Sequence, residues 1–411
     1  MIALERPLNI GLRFATLGTR FLFVFFLARY LDAASIGYYG IFTATIGYCL
    51  YVVGLDYYVF VTREVLRIGK DQCGRMLKGQ MALALSIYAL LVPVAILLLG
   101  HSNWPGHLVW WFLPILLFEH FNQEVFRLLV ALSEQISASV ILFVRQGSWA
   151  IAIILLMAWQ DSSRDLDAVM ALWTLAGAAA ALIGIWKVRR LGLGGWRQPI
   201  DWRWIRQGIT ISSAFLLATL ALRGIQTIDR YWLEALGGIE LVGAYVLFAG
   251  VASALMVFLD AGVFSFTYPA LIQHHHRQEH AEAKRRIRRM LFETLAICAG
   301  FAILSREVLP WLLRWVGNPL YVETLWLYGW VLAAAVLNAI AMVPHYVLYA
   351  RGQDRVIIAS HVIALPVFLL SAGLIAPVRP LLAVPAGVVI AFLFILLWKA
   401  FACWRTARAS S

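Results

Sequence analysis

Residues 26–64 read FLARYLDAASIGYYGIFTATIGYCLYVVGLDYYVFVTRE. One apolar run closes on Ala28-Arg29-Tyr30-Leu31-Asp32; a second opens near Ile36-Gly37-Tyr38 and ends at Thr62-Arg63-Glu64. A helix crossing hydrocarbon needs about 20 mostly apolar residues, and the second run has that length, with its arginine at the end. The stretch reads as the close of one membrane span, a tight turn and a second span. The pattern continues outward along the chain. Apolar runs at roughly 9–30, 37–61, 80–100, 108–131, 138–159, 167–187, 208–235, 241–264, 291–313, 322–349, 356–376 and 381–403 give twelve candidate spans. The composition agrees: 62% hydrophobic, 14% charged and a mean hydropathy of +0.80, against about 45–50% apolar and about 25% charged in soluble domains. These runs take up most of the 411 residues, so no soluble domain fits. The fold class is an all-α polytopic membrane protein with twelve transmembrane helices.

Most of the 34 Lys and Arg residues fall in alternate gaps between the runs. One set of gaps holds Arg6, then Arg63 to Lys78, Lys187 to Arg206, Arg277 to Arg289, Arg351 with Arg355, and Lys399 with Arg405 and Arg408. The opposite gaps hold Arg164, Arg314 and Arg379. Cytoplasmic loops carry the excess of Lys and Arg, so both termini are expected in the cytoplasm. The net charge of +12 is mostly this signal, with contact to anionic lipid head groups as a consequence; no aromatic-basic module points to nucleic acid. The start, MIALERPLNIGLRF, lacks the short apolar core and small-residue cleavage site of a signal peptide.

No cofactor or metal is implied. Cys49, Cys73, Cys298 and Cys403 are far apart and form no CxxC. His274-His275-His276 with His280 lies in a basic cytoplasmic loop and reads as solvated. No phosphate loop, nucleophile elbow or HExxH is present, and the outer gaps are too short to house an enzyme site.

The chain repeats itself weakly. Arg29-Tyr30-Leu31-Asp32 with Ile36-Gly37-Tyr38 is echoed by Arg230-Tyr231-Trp232-Leu233-Glu234 with Val242-Gly243-Ala244, and Leu55-Asp56 by Leu259-Asp260. Each pair is separated by roughly half the chain. Six helices per half keep both halves in one orientation, related by a pseudo-two-fold axis along the membrane normal. Such repeats build transporters with a site between the halves. The expected division is 1–187, a six-helix bundle; 188–207, a cytoplasmic linker; and 208–411, a second six-helix bundle.

Residues 26–64 also resemble the N-terminal pattern of polysaccharide flippases, the Wzx-type members of the multidrug/oligosaccharidyl-lipid/polysaccharide (MOP) exporter superfamily: Ala-Arg-x-Leu, a Gly-x-Tyr opening the second helix, then Gly-Leu and Thr-Arg-Glu. Asp229-Arg230 with Gly243-Ala244-Tyr245, Glu119 to Arg127, and Leu348 to Gln353 look like further landmarks of that family. The resemblance implies translocation of an undecaprenyl-pyrophosphate-linked oligosaccharide across a bacterial inner membrane, with membrane lipids and the polymerase and chain-length regulator of the same pathway as partners.

Arginine inside hydrocarbon is costly and tends to mark a substrate path. Arg13 and Arg20 lie seven residues apart on one face of the first helix, Arg223 and Arg230 repeat the spacing, and Arg145 lies inside the fifth span. Arg20, Arg145 and Arg223, with Arg127, are the candidate cationic contacts, since the guanidinium fork suits phosphate and carboxylate. The alternative is internal ion pairs, favoured for Asp229 with Arg230. Glu119, Gln123 and Arg127 form one stripe and Glu124 adjoins it. Glu119 reads either as a proton carrier or as a structural partner of an arginine; Glu124 reads better as a partner. Asp56 and Asp260 occupy matched places and serve either as caps and hinges or as cation sites. His361 either titrates near neutral pH or, like His345, hydrogen-bonds between helices. Together with Glu119 and Glu124, these groups are the ion-coupling candidates. Competing functions are a cation-coupled multidrug exporter of the same fold, disfavoured by the arginine excess, and an O-antigen polymerase or glycosyltransferase, which would need large outer loops.

Overall fold

A computed structural model of the chain describes residues 2–100 and 104–409, and every element in them is helical. The side chains of Arg6, His276 and Arg408 lie outside the described set. Among the described residues, eleven helical segments are long and apolar enough to cross a membrane. A further helix, α5 (Gly106–Ala131), has 26 residues but carries Glu119, Glu124 and Arg127, which lower its hydropathy.

In chain order, α1 spans Ile2–Tyr30, α2 Ala33–Gly54, α3 Tyr58–Ile68 and α4 Lys70–Gly100. After α5 come α6 (Gln135–Phe143), a π-helical turn at Val144–Ser148, α7 (Trp149–Trp159) and α8 (Leu166–Arg190). Then follow α9 (Trp202–Gly237), α10 (Ile239–Leu259), a second π turn at Asp260–Phe264, α11 (Ser265–His276) and α12 (His280–Val316). The chain ends with α13 (Pro319–Glu323), α14 (Trp326–Ala350), α15 (Asp354–Ile375) and α16 (Pro380–Ala409).

The turn read from residues 26–64 is tighter than the apolar pattern indicates. α2 begins at Ala33, because Asp32 caps it by accepting the Ser35 amide at 2.7 Å. Asp165 caps α8 in the same way, through Ala168, and Asp201 caps α9 through Trp204.

Contacts divide the chain into two compact units, one of residues 1–31 and 42–216, the other of 32–41 and 217–411. In the first, Tyr57, Phe60, Val61, Val65, Cys73 and Met76 pack with Leu128 and Leu193. Leu193 belongs to the 188–207 stretch, which is fastened to the start of α4. The Gly74 amide donates to the Gly194 carbonyl at 2.7 Å, Arg75 pairs with Asp201 at 3.0 Å, and Lys78 donates to the Trp196 carbonyl at 3.0 Å. In the second, Leu255, Leu259, Val263 and Phe264 pack against Met290, Cys298, Ala339 and Val343.

Within the second unit, the starts of α2 and α10 meet at two glycines. A Cβ on Gly37 would lie 2.2 Å from the Ile239 carbonyl oxygen, and one on Gly243 would lie 2.0 Å from that of Ala33. Each glycine faces the residue four positions before the other, the reciprocity that a two-fold relation produces. Small residues let helix backbones approach this closely in membranes.

Leu85, Leu90, Ile303 and Leu374 are exposed on the helix surfaces, as lipid-facing side chains should be. Trp110, Trp159 and Trp311 are exposed near helix ends, where indole rings anchor at the membrane interface.

Candidate functional site

In the first unit, the π turn at Val144–Ser148 carries Arg145 and Gln146. A π turn inserts a residue into the helix and re-aims its side chains. Arg145 Nε donates to Glu119 Oε2 at 2.8 Å, and both residues are buried. Trp173 Nε1 donates to the other carboxylate oxygen at 2.9 Å. Trp149 stacks on Trp173 with ring centroids 5.5 Å apart, and its Nε1 donates to the Arg145 carbonyl at 2.9 Å. A Cβ on Gly147 would lie 2.8 Å from the Phe143 ring, one turn earlier, and 3.4 Å, an ordinary contact, from Thr16 Cα of α1.

The consequence for Arg145 is direct. Sequence reading left it between a substrate contact and an ion pair; in the fold its charge is matched by Glu119, and both carboxylate oxygens of Glu119 are engaged. Arg127 is likewise paired. Its Nη1 donates to Glu124 Oε1 at 2.6 Å while its guanidinium lies 3.7 Å above the Tyr58 ring. Glu124 also accepts from Gln80 Nε2 at 2.6 Å, so this cluster ties α3, α4 and α5 together. Arg20, central in its span, is different. It is exposed, and its Nη1 donates to Gln146 Oε1 at 3.0 Å. Arg13 reaches Ser139 Oγ at 3.3 Å.

In the second unit, Arg223 is exposed, with Nη1 3.1 Å from Gln226 Oε1. Asp229 is buried, accepts from the Tyr245 hydroxyl at 2.7 Å and lies 3.7 Å from Arg230. The matched aspartates both stand where a helix is interrupted. Leu55 and Asp56 have φ of 51° and 48°, left-handed conformations uncommon outside glycine, and they break α2 from α3. Asp260 opens the second π turn, where it is exposed. His361 Nε2 lies 3.0 Å from Lys399 Nζ. Lys399, which the charge pattern assigned to the last cytoplasmic gap, instead lies inside α16 and is 2% exposed. The histidine run at 274–276 ends α11, and His274 contacts Glu279 at 2.7 Å.

Sequence reasoning missed Gln80, Tyr58, Trp173 and Tyr245 as partners of the intramembrane charges. A usable signal existed for the tryptophans. Trp149 follows Arg145 by one helical turn, and Trp173 lies well inside α8, away from the interfacial position expected of an anchor.

No protein-family model and no curated protein matches the sequence. Solved structures match the fold. A multidrug resistance MATE family transporter of the MOP superfamily in an inward-facing conformation superposes with a TM-score of 0.78, at 11% identity over 96% of each chain. A mutant of a Vibrio cholerae MATE transporter gives 0.64 at 15% identity, covering 100% of this chain and 96% of that one. An outward-facing MATE structure gives 0.51 at 12% identity over 98% and 89%. The chain therefore shares the helical fold of these solved structures.

Proposed function

We propose that this chain, built on the MOP-superfamily fold, is a transporter that works by alternating access and carries an undecaprenyl-pyrophosphate-linked, anionic oligosaccharide of O-antigen type from the cytoplasmic to the periplasmic leaflet of a bacterial inner membrane. Both termini are cytoplasmic in this reading, and the polymerase and chain-length regulator of the pathway act downstream. The observation that carries it is the way the intramembrane charges are disposed. Glu119, Glu124 and Asp229 each lie beside an arginine, whereas Arg20 and Arg223 are exposed and each donates to a neutral glutamine. Exposed guanidinium groups suit phosphate and acidic sugars and repel cationic drugs. Arg20 and Arg223 are the candidate contacts for the charge of the substrate, while Arg127 and Arg145 are held in ion pairs with Glu124 and Glu119.

The second reading is a cation-coupled multidrug exporter, favoured by the description of the solved structures that share the fold. Deleting the gene separates the two. A flippase mutant loses surface polysaccharide while lipid-linked repeat units persist inside the cell. A drug exporter mutant keeps its polysaccharide and becomes sensitive to cationic dyes.

A further inference from the structure

In the second unit, three helices bring three nitrogen bases to one point. His345 comes from α14, His361 from α15 and Lys399 from α16. Lys399 Nζ lies 3.2 Å from His345 Nδ1 and 3.0 Å from His361 Nε2. The imidazole rings are nearly parallel, at 12°, with centroids 6.1 Å apart. Lys399 is among the largest fully buried side chains.

A buried ammonium ordinarily has a carboxylate beside it, because an unpaired charge in a low-dielectric interior is strongly disfavoured. Here α14 and α16 contain no Asp or Glu within their described residues, and α15 has only Asp354, its first residue. Lys399 forms no ion pair among the described residues. The remaining titratable and charged neighbours are few. Tyr346 has its ring 5.7 Å from that of His345. Cys403, one turn beyond Lys399, donates to the Pro344 carbonyl at 3.5 Å. Arg351 donates to Thr406.

We propose that the His345–Lys399–His361 cluster is a proton-binding site, loaded and emptied during the transport cycle, that couples movement of the substrate to the proton gradient. The inference rests on the transporter reading given above. The cluster offers only nitrogen atoms, so it suits a proton and not a sodium ion or another hard cation, which takes oxygen ligands. The loaded state is an ammonium donating one N–H to each imidazole. A second proton would place two positive charges within hydrogen-bond distance, so the cluster exchanges one proton only. Release breaks one N–H bond on Lys399 and passes the proton to water, leaving a neutral amine and two neutral rings. The charged bridge between α14, α15 and α16 is then lost, and their packing is altered in step with the proton.

The first experiment reads proton binding without transport. The full-length protein in detergent, labelled with 15N at histidine and lysine, is titrated by NMR. The ring nitrogens of His345 and His361 should change in one shared step, and Lys399→Met should abolish that shared step. Rings that titrate independently, or a shared step that survives Lys399→Met, overturn the proposal. The second experiment uses proteoliposomes loaded with a pH-sensitive dye and an undecaprenyl-pyrophosphate-linked oligosaccharide. An imposed pH gradient should accelerate transport by the wild type, and Lys399→Met, normalised to inserted protein, should lose that response. Gradient-driven transport by Lys399→Met overturns the proposal. Should Lys399→Met not insert, His361→Leu keeps the ammonium, removes one acceptor and should lose the same response. A wild type that moves no oligosaccharide yet shows the shared titration step removes the flippase reading and leaves the proton site standing.

Discussion

Removing either member of the Glu119–Arg145 pair leaves the other charge buried without its counterion, a change that costs about 3–5 kcal/mol in comparable buried pairs. Trp173 would still donate to Glu119 but cannot balance its charge. Glu119→Gln and Arg145→Met should therefore each lower the thermal midpoint of the detergent-solubilised protein. The double variant should recover most of the loss, because neither site then carries a charge. Strictly additive losses in this cycle would show that the two groups act separately and would return Glu119 to the role of a free proton carrier. The residues that make the pair could be named from sequence, since charges in apolar runs stand out. Their pairing could not. It depends on the π turn that re-aims Arg145, on Trp173 reaching across from α8, and on the depth at which α5 lies beside both. Lys399 shows the opposite failure. It stands near the end of an apolar run with Arg405 and Arg408 beyond it, and a count of loop charges takes it for one of them. Only the packing of α14 and α15 against α16 buries it.

At the level of elements, most boundaries were legible because apolar length and end charges are local signals. The interruptions were not. The break at Leu55–Asp56 and the π turns at Val144–Ser148 and Asp260–Phe264 leave no periodicity in the sequence; they are set by what packs alongside. The glycines at the starts of α2 and α10 were visible as a repeated motif, and the structure supplies their reason. Because Gly37 and Gly243 each face a backbone carbonyl of the other helix, Gly37→Ala and Gly243→Ala should destabilise by similar amounts, about 1–3 kcal/mol each, the range for overpacked sites. Gly18→Ala, where nothing lies within 4 Å, should be neutral or slightly stabilising, since alanine favours a helix. Thermal midpoints of the three variants check this. A loss at Gly18 equal to that at Gly37 would show that helix geometry, not the crossing of α2 and α10, sets the cost.

For the whole molecule, the central claim is that exposed arginines in a MOP-type fold meet an anionic lipid-linked sugar. Fold and class came through in the sequence because a membrane imposes its pattern on every helix; the substrate rests on a handful of charges and on a resemblance carried by short motifs. The most direct measurement is translocation in proteoliposomes holding either a fluorescent undecaprenyl-pyrophosphate-linked acidic oligosaccharide or a cationic dye. Each is followed for wild type, Arg20→Lys, Arg223→Lys, Arg20→Glu and Arg223→Glu, normalised to inserted protein. The account predicts that the wild type moves the lipid-linked oligosaccharide and not the dye. The lysine variants should retain part of the rate, because they keep the charge without the guanidinium fork, and the glutamate variants should lose it. A wild type that moves the dye and leaves the oligosaccharide in place, or glutamate variants that translocate the oligosaccharide normally, would contradict it.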